Sequence, residues 1–132
     1  IIETPVGNFI KDGRYYSCEL EKDGHRLYLN AFAEENISQQ QLDQKLLILQ
    51  EIFLHLSEFE KKVFSYAAKN AADGKYKKLI AKSTKHIVSI MIDDSDKLQF
   101  YLVTEESIIN GCDFIVVFCE LDGSFETVAL VG

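Results

Sequence analysis

The chain predicts an α+β fold: an N-terminal β-hairpin, two central helices, and a four-strand C-terminal antiparallel meander. Three observations lead there. Two aromatic-rich runs near the start, 14–20 and 25–33, are separated by Asp23-Gly24, the residue pair favoured where both central positions of a tight hairpin turn need positive φ. Residues 42–70 then carry apolar side chains at spacings of three and four, the repeat of a helix face. From residue 86 onward the pattern returns to a period of two, the repeat of strands.

Taken in order, a short strand at residues 7–10 precedes the hairpin. Ser38 and Gln41 form a capping box that opens the first helix by satisfying its free N–H groups. Leu42, Leu46, Leu49, Phe53 and Leu56 make its apolar stripe, so Leu49 and Phe53 are expected in the core and Lys45 on an exposed face where alanine costs little. Ser57 and Glu60 repeat the capping box and restart the stripe as Phe59, Val63, Tyr66, Ala67 and Asn70, ending at Asp73-Gly74. Residues 74–85 read as a lysine-bearing connector. Strands 86–92 and 97–103 flank the turn Asp93-Asp94-Ser95-Asp96, with Val88, Ile90 and Ile92 facing Leu98, Phe100 and Leu102 inward. The last two strands, 113–121 and 124–131, are joined by Asp122-Gly123, again the two-residue hairpin signal. The first of these is apolar on both faces, which predicts a place in the sheet interior with cover on both sides.

The 132 residues, 47% hydrophobic, suit one domain spanning 1–132 with a core of its own. Three cysteines without regular spacing argue against a disulfide framework and for a reducing compartment. With no run of about 18 apolar residues and no signal-peptide pattern, neither membrane nor export is expected, and the cytoplasm is the predicted location.

Catalytic motifs are missing: no phosphate loop, no nucleophile elbow, no zinc helix. Cys112 and Cys119 stand at an odd separation on a strand and so point to opposite faces, which excludes joint metal binding; they read, with Cys18, as small buried hydrophobes. Cys112 follows Asn110-Gly111, and an enzyme reading would pair it with a histidine as a thiolate nucleophile. His25, His55 and His86 have no metal-site spacing; Asp93-Asp94-Ser95-Asp96 lacks the sixth-place glycine of a calcium loop, with Glu105 at the thirteenth place counted from Asp93 or the twelfth counted from Asp94, and a polar turn explains the run better. No catalytic residue, metal or cofactor is therefore expected.

Charge is the informative feature. Residues 86–132 hold nine acids against Lys97, whereas residues 74–85 hold five lysines and no acid. A net charge of −7 repels phosphate, so nucleic acid is not an expected direct partner. Carboxylate-bearing turns either keep hairpins soluble or steer a basic partner. On the second reading Asp93, Asp94 and Asp96 form one acidic pole, and Glu105 and Glu106, one strand further on, form another at the opposite end. An alternative binding surface is aromatic: Tyr15, Tyr16, Tyr28 and Phe32 of the first hairpin, suited to a small ligand or a regulatory partner.

The order of elements, and above all NGCDFIVV followed by ELDGSFETVALVG, resembles a family of small bacterial domains of unknown function. The chain departs from that pattern in carrying Cys112 where a histidine is expected and in lacking tryptophan. Small acidic α+β domains of this look are also similar to the immunity proteins that bacteria pair with toxins. That likeness implies an inhibitor lacking chemistry of its own; joined to the charge pattern, it makes a toxin domain with a basic surface the expected partner and Asp93, Asp94, Asp96 or, at the other pole, Glu105 and Glu106 the candidate contacts.

Overall fold

Most segments take the conformation their own residues favour, and the tertiary structure decides which neighbours they meet and overrides the local pattern at a few places. The computed structural model describes residues 1–71, 74–105 and 114–131. Strands β1 (Ile2–Glu3), β2 (Asn8–Asp12), β3 (Tyr15–Lys22) and β4 (His25–Phe32) come first. Helices α1 (Gln39–Leu54), α2 (Leu56–Asn70) and α3 (Gly74–Lys82) follow, then β5 (Lys85–Ile92), β6 (Leu98–Thr104), β7 (Phe114–Cys119) and β8 (Phe125–Val131). The fold is α+β. Among the described residues the strands form one eight-stranded sheet in sequence order. All neighbours are antiparallel except β4 and β5, which run parallel because the helical segment between them returns the chain to the end where β4 began.

The expected N-terminal hairpin is β3–β4, with Asp23 at φ 52° and Gly24 at φ 79°, as a tight turn requires. The C-terminal meander is also present as β5 to β8. Ser38 caps α1 in both directions: its side chain accepts from Gln41 N–H, and the Gln41 side chain accepts from Ser38 N–H. The buried face of α1 is Leu42, Leu46, Leu49 and Ile52, so Ile52 takes the place expected for Phe53, which is half-buried.

Four local expectations are corrected. Residues 74–82 are a helix and not a connector; Ile80 is fully buried, and Lys85 Nζ donates to the carbonyls of Ile80 (2.8 Å) and Ser83 (3.1 Å), closing its C-terminus. Ser57 and Glu60 do not cap α2, whose N-cap is His55 without a side-chain bond; they receive Lys22 instead, at 3.5 and 2.9 Å. A β-bulge between Ile87 and Ser89 shifts the phase of β5, burying Ile87 and leaving Val88 half-buried. The β7–β8 connection is longer than two residues, as described below.

The helices cover one face of the sheet. α1 packs over β4 and β5, α2 over β5, β7 and β8, and α3 against α2. Their buried side chains join Phe9, Leu29, Ile90, Phe100 and Val117 in one core cluster. Val116 is buried as well but lies outside that cluster, so β7 is covered on both faces while the helices lie on one. Among the described residues, no helix is long and apolar enough to cross a membrane.

Candidate functional site

The acidic residues gather at one end of the sheet, and three connections put them there. Ile92 pairs with Leu98, and Leu98 with Cys119, so the β5–β6 and β7–β8 loops leave the sheet side by side. Ala31 pairs in parallel with Ile92, so the chain leaving β4 through Glu34 and Glu35 emerges at that same end. Asp94, Asp96, Asp122, Glu34 and Glu35 are all exposed there.

The first loop is built around Asp93. Its N–H donates to the Lys97 carbonyl (2.9 Å), and its own carbonyl accepts from Asp96 N–H (3.1 Å), which places Asp96 in the left-handed region at φ 56°. Asp93 Oδ1 accepts from the N–H groups of Ser95 (2.9 Å) and Lys97 (3.0 Å), and Oδ2 accepts from Gln99 Nε2 (2.7 Å). Asp93 is thus engaged within the loop. Asp96 pairs with Lys45 at 3.2 Å, whose Nζ also donates to the Phe32 carbonyl at 2.8 Å. Lys45 therefore does not sit idle on an exposed face; its side chain is 15% exposed and ties α1 to the acidic end.

The second loop runs from Glu120 to Ser124. Glu120 N–H donates to the Ser124 carbonyl (2.8 Å), Gly123 N–H donates to the Glu120 carbonyl (3.0 Å), and Gly123 takes φ 93°. This is a three-residue loop with a left-handed third position, in place of the two-residue turn expected from Asp122-Gly123. Lys97 Nζ donates to the carboxylates of both Glu120 and Glu126, the latter at 2.6 Å. Those two bonds push the Lys97 ammonium up, and the bond to Lys97, followed by one to Glu120, holds Glu126 below its usual range. The acids left unclamped by Lys97 are Asp94, Asp96, Asp122, Glu34 and Glu35.

Aromatic side chains adjoin this end. Tyr15 and Phe32 meet edge to face with centroids 5.6 Å apart, and the Tyr15 hydroxyl is pushed up first by burial and then by Asp94 and Asp93. Tyr16 pairs with Ala31 and packs against the core, and Tyr28 is 37% exposed further along β4. The four aromatics proposed from sequence therefore do not form one surface.

Glu105 lies at the other end of the sheet, as its spacing predicted: Lys85 pairs with Thr104, and Glu105 N–H donates to the Thr84 carbonyl at 3.0 Å. There it lines a cavity of about 190 Å³ together with His25 and His86, whose rings stack 3.9 Å apart. Burial, then His25, lowers the His86 pKa, and its Nδ1 is buried with no hydrogen-bond partner among the described residues. Sequence spacing missed this pair because parallel β4–β5 pairing creates it. Among the described residues no three metal-ligating side chains converge. Glu106 and Cys112 lie outside the described residues.

Cys18 and Cys119 are free and 1% exposed, as small buried hydrophobes. Burial pushes both thiols up, Cys119 to about 12, so neither is a thiolate at neutral pH. In comparisons with known proteins, no family model, curated protein or solved structure matches the chain.

Proposed function

We propose that the protein is a non-enzymatic binding protein of the immunity type, which neutralises a bacterial toxin in the cytoplasm by covering a basic active or substrate surface. One observation supports this above the others: three separate connections converge to expose Asp94, Asp96, Asp122, Glu34 and Glu35 at a single end of the sheet. Exposed carboxylates arrayed in this way take the place of phosphates on a basic cleft and raise the rate of encounter through long-range attraction. Asp93 supports the loop that presents its neighbours, and Glu105 lies too far around the sheet to join them.

The test is association kinetics against a basic toxin domain that co-purifies with this chain, at two salt concentrations. Asp94→Lys with Glu35→Lys is expected to lower the association rate ten-fold or more with the fold intact, and Glu105→Lys to change it less than two-fold. Wild-type binding should weaken as salt rises, because screening shortens the reach of exposed charges. Binding that is insensitive to salt and to the double reversal would assign these acids to solubility alone.

A further inference from the structure

The two edges of the sheet are built differently. At the first, β1 is two residues long, and the part of β2 it leaves uncovered carries Lys11 and Asp12. Short strands and edge charges of this kind deter further pairing. At the second, β8 is seven residues long, and β7 is its one neighbour among the described residues. None of its side chains is fully buried, and every second residue turns its N–H and C=O away from β7. It carries no lysine and no proline, and its one acid, Glu126, is bound to Lys97. A bulge interrupts the register beside Glu126, but residues 127–131 pair regularly with β7 and leave their outer edge unguarded.

The helix side of this edge is basic. Tyr66 of α2 stacks on Phe125 of β8 with centroids 4.6 Å apart, which turns that side of α2 toward β8. Lys62 and Lys69, one turn before and after Tyr66, share its side. With Lys61 they line a concavity of about 390 Å³ between α2 and Phe125, and no acid lines it. All three are exposed and have no hydrogen bond or ion pair among the described residues. The surrounding acids are largely engaged: Glu60 with Lys22, Glu126 with Lys97 and Asp122 with Ser124, while Glu58 stands exposed a turn ahead of Lys62.

We propose that β8 takes up an extended segment of a partner protein as a further strand, with acidic side chains at alternate positions facing Lys61, Lys62 and Lys69. The unpaired main-chain groups supply affinity, and the period of two puts every second side chain on the lysine side, which supplies selectivity. A second copy of this chain fits less well. Antiparallel pairing of two β8 strands about a two-fold axis sets both α2 helices on one face of the joined sheet, lysines against lysines. This surface is opposite in sign to the acidic loops, and the reading does not depend on their being a toxin site.

The probe is a synthetic peptide of alternating glutamate and valine, as long as β8, titrated into the intact protein and followed by amide chemical shifts and hydrogen exchange. Saturable binding is expected, with shifts and new amide protection along residues 127–131. A lysine–valine peptide, and a glutamate–valine peptide N-methylated at alternate residues, should each bind at least ten-fold more weakly. Lys61→Glu with Lys69→Glu, both on the exposed side of α2, should weaken the glutamate–valine peptide to a similar degree with the fold intact. No saturable binding to folded protein, or shifts that map away from β8, overturns the site. Equal binding of the N-methylated peptide overturns strand addition, and equal binding of the lysine–valine peptide, or no effect of the double reversal, overturns the acidic assignment. A wild-type chain that doubles in mass in sedimentation, with protection gained along β8, gives the edge to a second copy and overturns the proposal.

Discussion

The loops Asp93–Lys97 and Glu120–Ser124 follow the same hydrogen-bonded path, with the first N–H donating to the fifth carbonyl and the fourth N–H donating back to the first carbonyl. They differ in how they meet its demands. The left-handed fourth position is Asp96 in one and Gly123 in the other. In the first loop a carboxylate at the opening position, Asp93, gathers two N–H groups and Gln99; in the second that position is Glu120, bound to Lys97, and Asp122 in mid-loop takes the lighter part by accepting from Ser124. An acidic turn therefore contains two kinds of carboxylate, those that form the loop and those it presents. Counting acids along the chain treats Asp93 and Asp94 alike, whereas only Asp94 is free of the loop's own bonds.

The largest effect expected from this difference is at Asp93. Asp93→Ala removes the acceptor for three hydrogen bonds and should cost about 2–3 kcal/mol, while Asp94→Ala should stay within about 0.5 kcal/mol. Coincident urea midpoints for the two variants would erase the distinction between supporting and presented acids. It follows that reversing Asp93 together with Asp94 and Asp96 is not a clean charge test, because it dismantles the loop.

Next comes the left-handed position. Gly123→Ala should cost about 1–2 kcal/mol from backbone strain alone, since a Cβ there meets no atom within 4 Å. Thermal unfolding of Gly123→Ala and Asp96→Gly sharpens the comparison, with the first lowered and the second unchanged or slightly raised. A Gly123→Ala protein as stable as wild type would mean the second loop relaxes to another path.

Lys45→Ala tests the tether beneath the first loop. Losing the Phe32 carbonyl bond and the Asp96 pair should cost about 1 kcal/mol, more than an exposed lysine normally does. Equal stability of Lys45→Ala and Lys61→Ala would return Lys45 to the exposed face that helix phase alone suggests.

The smallest effect is the acid response of the second loop. Hydrogen bonds from the Ser124 side chain and backbone hold Asp122 below the usual carboxylate range. Its folded pKa is depressed, so its contribution is present above the unfolded value of about 4 and is lost as pH falls through the folded one. Asp122→Asn should flatten the low-pH limb of a stability titration slightly; an unaltered limb would show that the Ser124 bonds do not persist in solution.

What the sequence determined by itself is what lies within a few residues along the chain. The Asp23-Gly24 turn, the Ser38–Gln41 capping box, the Leu42–Leu49 stripe and the alternation in β6 all depend on backbone conformation and bonds between near neighbours, which composition and spacing encode directly. The α+β class and the separation of Glu105 from the Asp93–Asp96 turn followed from the same local rules. The tertiary structure alone decided the rest. It placed β4 parallel to β5, and with that pairing brought Glu34 to the end of the sheet that carries Asp94, and His25 onto His86. It converted residues 74–82 to helix by burying Ile80, shifted β5 by one bulge, joined Lys97 to Glu120 and Glu126, and left a cavity where α1 and α2 part at His55. Each of these depends on segments distant in sequence coming into contact, and the energy that selects such contacts, burial of apolar surface, has no direction of its own along the chain.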